Sequence, residues 1–389
     1  MTTTSDREPM GIYVHIPFCL RKCPYCGFFS RPPESRTEVN DYVRRIIGEI
    51  KAAASEYGVL PDGSGPRRAD SIFIGGGTPS LLEPEQVSDI ISALRAGFLI
   101  TPDAEISIEA NPGTLEQDRA KLAGFLAAGI NRLSIGVQSF DDRVLRTLGR
   151  IHNAGEAERT FRAAREAGFD NINIDLMFGI PGQTAGQWDR TLRKATELDP
   201  EHISFYSLQL EEGTPFFEDF EAGRLTELTD DLDRAMYHHA IALLRNAGYH
   251  HYEISNAAKP GFECRHNLKY WTLTEYLGIG DTAASYIGGT RFTMMDGVKR
   301  DVHVNSSFDD MSEYMFTGLR LTRGILYSDF RRRFGMSPEE AFADRWAELD
   351  EFFRSGTLER RVTNDGERAV LLITEKGIDI SNRIMEVFV

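Results

Sequence analysis

The sequence predicts an α/β protein: a partial (β/α)6 barrel with a smaller helical, winged-helix-like C-terminal domain. Two patterns carry this reading. Over the first two-thirds of the chain, short apolar runs alternate with amphipathic stretches, which implies βα units and a parallel sheet. From about residue 306 the pattern turns helical and ends in a hairpin and one more helix. The expected domains are therefore 1–230 for the barrel, 231–305 for a barrel extension and 306–389 for the C-terminal domain.

The barrel strands are expected at 12–16, 71–74, 105–109, 132–137, 171–177 and 202–208. Helices are expected at 39–54, 84–94, 116–128, 156–167 and 187–198, where apolar residues recur every three or four positions. Several stop at glycine, as at Gly58, Gly129 and Gly168. A further helix covers 232–246, and strands are expected at 249–254, 276–286 and 290–293, with a loop around 259–270. Helices at 311–321, 327–334 and 338–355 precede a hairpin over 358–373, turning at Asn364-Asp365-Gly366, and a last helix at 375–387. In barrels of this kind, sites form at the C-terminal ends of the strands.

Composition narrows the function classes. With 389 residues the chain can bury a large core without disulfides. A net charge of −15 and the lack of a basic recognition helix argue against nucleic acid as a partner, winged-helix shape notwithstanding. No apolar run approaches the ~20 residues of a membrane span. The start, MTTTSDREPMG, has no apolar signal core, so a cytoplasmic protein is expected, with peripheral membrane association left open.

Three of the four cysteines lie together as Cys19-x3-Cys23-x2-Cys26, directly after the first strand. Thiolates at this spacing bind zinc or an iron–sulfur cluster. Three ligands leave one iron of a four-iron cluster open to a small molecule; the alternative is a zinc knuckle completed by His15 or Cys264. The other strand ends each carry polar residues and a turn. These are Gly75-Gly76-Gly77-Thr78, Glu109-Ala110-Asn111-Pro112, Gly136-Val137-Gln138-Ser139 and Asp175 with the following Phe178-Gly179-Ile180-Pro181-Gly182. Glycine at the second strand end is expected to let a ligand approach the backbone and meet free N–H groups. The pairs His238-His239 and His250-His251 have no metal spacing with a partner.

Taken in order, YVHIPFC, GGGTP, IEANP, SIGVQSF, LGRIH and NIDLMFGIPGQT resemble the radical S-adenosylmethionine (SAM) superfamily. The resemblance is to its branch of oxygen-independent coproporphyrinogen III oxidases (HemN) and HemW-type heme chaperones, and it runs through the tail LITEKGIDISNRIMEVF. It implies that Cys19, Cys23 and Cys26 ligate a [4Fe–4S] cluster whose open iron takes SAM. Gly76, Gly77 and Thr78 would line the methionine end of SAM, and Glu109, Gln138, Arg150 and Asp175 would contact its polar groups. Tyr13 and Tyr25 would pack beside it. In that superfamily an electron from the cluster cleaves SAM to methionine and a 5′-deoxyadenosyl radical. A flavodoxin or ferredoxin is the implied electron donor.

Two features divide the branch. In the oxidases the cysteine motif continues Cys-x-Cys; here that place is Phe28. The segment 264–271 contains His266-Asn267-x-x-Tyr270-Trp271, similar to the HNxxYW segment implicated in heme binding by the chaperones. An imidazole can bind heme iron, and Tyr and Trp offer a flat wall. The resemblance thus implies a heme chaperone with a heme-accepting protein as partner, and leaves a homodimer open. Oxidative decarboxylation of coproporphyrinogen III and radical SAM methyl transfer are the alternatives. Relatives often have His where this chain has Ala284.

Overall fold

A computed structural model describes residues 8–115, 119–362 and 368–389. Its centre is six parallel strands, neighbours in chain order: β1 (Met10–Ile16), β2 (Arg68–Gly76), β3 (Leu99–Ala110), β4 (Arg132–Gln138), β5 (Ile172–Phe178) and β6 (His202–Ser207). The helices Arg36–Tyr57, Pro84–Gly97, Arg119–Ala127, Ala154–Ala167 and Ala185–Leu198 connect them. β1, β4 and β5 are buried on both faces, as parallel strands under helices must be. The start of the predicted 116–128 helix lies outside the described residues.

The sheet grows at both edges. Next to β6, β8 (Asn256–Ala258) runs antiparallel and β7 (His250–Glu253) follows it. Beside β1, β9 (Tyr276–Ile279) runs parallel, then β10 (Ala284–Ile287), β11 (Thr290–Met295) and β12 (Val298–Val304) turn back and forth. The resulting 12-stranded sheet ends at β12 and β7, which do not pair with each other, so the barrel is partial.

Two sequence expectations change in the extension. The single strand expected at 276–286 is a hairpin of β9 and β10. Gly280 (φ 93°) and Thr282 (φ 61°) turn the chain, and Asp281 is held by Arg45 and by the amide of Asp296. The loop expected over 259–270 contains a helix, Arg265–Trp271.

The C-terminal region has its own core, built on Met315, Phe330, Leu371, Ile384 and Phe388. Its small sheet pairs Ile325–Leu326 and Leu358–Val362 with Arg368–Ile373. The turn at 364–366 lies outside the described residues. The helix expected at 338–355 is broken: Phe342 leaves helical geometry (φ −118°, ψ 33°) and buries its ring against Phe308 and Phe388. The last helix is likewise three short pieces, Ile378–Ile380, Ser381–Met385 and Glu386–Phe388. This region meets the barrel where Thr322 N–H donates to Tyr252 O at 3.0 Å and Arg320 lies between Glu253 and Trp271.

Candidate functional site

A cavity of about 780 Å³ opens at the C-terminal ends of the barrel strands. Cys19, Cys23, Cys26, Tyr13, Tyr25, Gly76, Gly77, Thr78, Glu109, Gln138, Arg150 and Asp175 line it, with His266, Asn267 and Tyr270. Of the residues singled out in the sequence, Trp271 does not. Its ring packs under the Arg320 guanidinium, 4.3 Å from the centroid, at the junction with the C-terminal region.

The cysteine loop is pinned to strand ends. Gly77 N–H donates to Ile16 O (2.8 Å), Thr78 N–H to Phe18 O (2.7 Å) and Cys19 N–H to Arg31 O (3.0 Å). His15 locks its far side: Nε2 bonds Phe29 O at 2.9 Å, and Tyr13 Oη lies 3.1 Å from Nδ1. A carbonyl only accepts, so Nε2 carries the proton and Tyr13 donates to Nδ1. Burial lowers the His15 pKa, which keeps this neutral tautomer. His15 is therefore a strut of the loop and not the fourth member of a zinc site.

Gly76 and Gly77 line the cavity, but their N–H groups are not free as expected. Gly76 sits at φ 115°, and a Cβ there would lie 2.6 Å from the His15 ring; one on Gly77 would lie 2.6 Å from Phe18 O. Their N–H groups are taken by Glu109 Oε2 and Ile16 O. They let the cysteine loop seat on β2 and present no free donors to a ligand.

The thiols are free, half-buried and donated to. Thr78 Oγ1 donates to Cys19 Sγ at 3.4 Å and Arg150 Nη1 to Cys23 Sγ at 3.6 Å. Among the described residues no group of His, Cys, Asp and Glu is gathered to hold a single metal ion. Three thiols facing a cavity, two of them already accepting hydrogen bonds, suit thiolate ligands to a larger cluster. Burial raises the Cys26 pKa, and a bound cation would offset that penalty.

Carboxylates face them. Burial, then the Asp175 charge, pushes Glu109 up to about 8, against the pull of the Gly76 N–H at 2.9 Å. Burial also raises Asp175, which accepts from Asn173 (2.7 Å) and Ser134 (3.2 Å). Gln138 ends β4 at φ 66° and accepts from Tyr206. Arg150 Nη2 donates to Gly136 O at 2.7 Å. Glu109, Gln138, Arg150 and Asp175 thus form a ring of donors and acceptors beside the thiols, suited to a zwitterionic, hydroxyl-rich ligand such as SAM.

A further part of the lining is the Arg265–Trp271 helix. His266 is 1% exposed, with Nδ1 at 3.1 Å from Ser71 Oγ and Nε2 at 2.9 Å from Tyr270 Oη. Burial lowers its pKa to about 3. Both ring nitrogens are occupied, so binding iron would first require release from Ser71 or Tyr270. Gly11 lies close beneath it: a Cβ there would come within 3.1 Å of the ring and press on it. Cys264 is fully buried, and burial pushes its thiol up to about 12. Buried and held neutral, it lacks the access and thiolate character of the three loop cysteines.

Sequence reasoning passed over Arg132, Ser134, Asn173, Ser204, Tyr206 and Asn256, which line the deeper cavity. The signal was there: inward positions of a strand alternate, and β4 reads Arg132, Ser134, Gly136, Gln138 on that face.

Comparisons with known proteins agree with this geometry. Residues 13–195 match the radical SAM superfamily, and residues 306–364 match the HemN C-terminal domain. The chain is 35% identical to the heme chaperone HemW of Bacillus subtilis, over 97% of this chain and 98% of that one. It is 42% identical to HemW of Escherichia coli, over 70% of this chain and 68% of that one. The solved coproporphyrinogen III oxidase HemN of Escherichia coli superposes with a TM-score of 0.81 at 25% identity, over 98% of this chain and 90% of that one.

Proposed function

We propose that this chain, which belongs to the HemW heme-chaperone family of the radical SAM superfamily, binds heme and passes it to an acceptor protein. In this reading Cys19, Cys23 and Cys26 hold a [4Fe–4S] cluster, and Glu109, Gln138, Arg150 and Asp175 orient SAM beside it. The observation that carries the reading is that the thiols and the HNxxYW helix line one cavity. A cluster held by these cysteines would supply one-electron chemistry toward SAM when bound and reduced; a flavodoxin or ferredoxin is a suitable donor. The protein's own part is to exclude water, to keep Glu109 protonated at neutral pH, and to give thiolates the Thr78 and Arg150 donors. No described helix is long and apolar enough to cross a membrane.

One observation favours a second reading, coproporphyrinogen III oxidase: the likeness to HemN extends over nearly the whole chain. Phe28 weighs against it. It stands where the oxidase motif has a cysteine, and it is 70% exposed on the cavity lip. The test is anaerobic reconstitution with iron and sulfide, then heme titration and coproporphyrinogen III turnover on the same preparation. The expected result is stoichiometric heme binding without protoporphyrinogen IX. Product formation, or no heme bound, contradicts the proposal.

A further inference from the structure

We propose that Arg132 forms an anion-binding subsite on the cavity floor, and that its ligand is a propionate carboxylate of heme. This rests on the heme-binding reading above.

Arg132 begins β4, is 1% exposed, and lines the cavity. A guanidinium has five N–H donors in a planar fork. Among the described residues this one donates no hydrogen bond, and its Nε is buried without a partner. The nearest anion is Glu105, with Oε2 4.0 Å from Nε. That carboxylate is already committed to the Arg265–Trp271 helix: it accepts from Arg265 N–H (3.1 Å), His266 N–H (3.2 Å) and Cys264 Sγ (3.6 Å). Asp175 and Glu109 also act on Arg132 through their charge, but Asp175 accepts from Asn173 and Ser134 and Glu109 from Gly76.

The surrounding carboxylates balance its charge but take none of its hydrogen bonds, so the buried fork has donors that a further anion would satisfy. A carboxylate matches the fork with two parallel hydrogen bonds. Glu109, held up to about 8, does not repel an anion at neutral pH. Arg150, bonded to Gly136 and Cys23, serves the thiol end of the cavity, which leaves Arg132 for a different acid. Heme is flat, apolar and carries its two carboxylates on one edge. With its face along the Tyr270 wall, that edge is what the floor would meet.

The experiment titrates heme and heme dimethyl ester against the full-length reconstituted protein, followed by visible absorption, in wild type and Arg132→Gln. Wild type is expected to bind the diacid on the order of tenfold more tightly than the diester. Arg132→Gln is expected to bind both alike. Should that variant not fold, the charge-balanced pair Arg132→Gln/Glu105→Gln takes its place. Equal binding of the two ligands by wild type, or an undiminished preference in the variant, overturns the subsite and leaves Arg132 a counter-ion of Glu105. No binding of either ligand by wild type overturns the heme reading itself.

Discussion

The two walls of the cavity handle cysteine and histidine in opposite ways. On the loop wall, Cys19, Cys23 and Cys26 are partly open to the cavity, and Leu20, Phe28 and Phe29 beside them are exposed. On the helix wall, Cys264 and His266 are sealed in and hydrogen-bonded. Residue type alone would make all five candidate ligands. Access and free lone pairs separate them, and only the loop wall offers both.

The largest effect that tests this contrast is on iron content. Ser at Cys19, Cys23 or Cys26 should each abolish the cluster's visible absorption after reconstitution, while Cys264→Ala should keep the full iron and sulfide content. Loss of iron in Cys264→Ala at unchanged fold would break the comparison. Next comes stability. His266→Ala deletes two buried hydrogen bonds and a ring 5.4 Å from Phe73, and should cost about 3 kcal/mol in denaturant unfolding. A change below about 1 kcal/mol would mean that the helix wall is looser than its burial implies.

A smaller effect concerns pH. Glu109 in the folded protein holds its proton to about 8, whereas the unfolded chain loses it in the ordinary carboxylate range. The native state therefore binds more protons over that window. Its contribution is full below the unfolded pKa and is lost as pH rises through about 8, by at most about 1.4 kcal/mol per unit. Glu109→Gln, which can still accept from Gly76, should remove that part of the slope in protein unfolded without iron or SAM. The smallest effect is at Phe28. Exposed as it is, Phe28→Cys should leave stability within about 0.5 kcal/mol and iron content unchanged, and should not create oxidase turnover.

The sequence made the loop wall legible and left most of the helix wall hidden. β1 to β6 announce themselves because buried parallel strands are continuous apolar runs between amphipathic helices. The cysteine spacing and the polar strand ends are local in sequence, so the ring of Glu109, Gln138, Arg150 and Asp175 could be read off. The Arg265–Trp271 helix could not. It has only seven residues, and its N-cap Cys264 makes no side-chain cap. Its first N–H groups are instead satisfied by Glu105, more than 150 positions earlier. The β9–β10 turn is hidden for the same reason, because Asp281 is positioned by Arg45 from a distant helix. Gly76 and Gly77 were visible, but their purpose was not. The His15 ring and Phe18 carbonyl that require them are contacts of the folded loop.

Heme titrated into reconstituted wild-type protein, with and without saturating SAM, shows whether the two walls serve one cavity. Ligands that share a cavity of about 780 Å³ must feel each other. SAM should change the heme dissociation constant by about fivefold or more. Identical heme affinity in the two titrations, with SAM shown to be bound, would contradict a shared cavity.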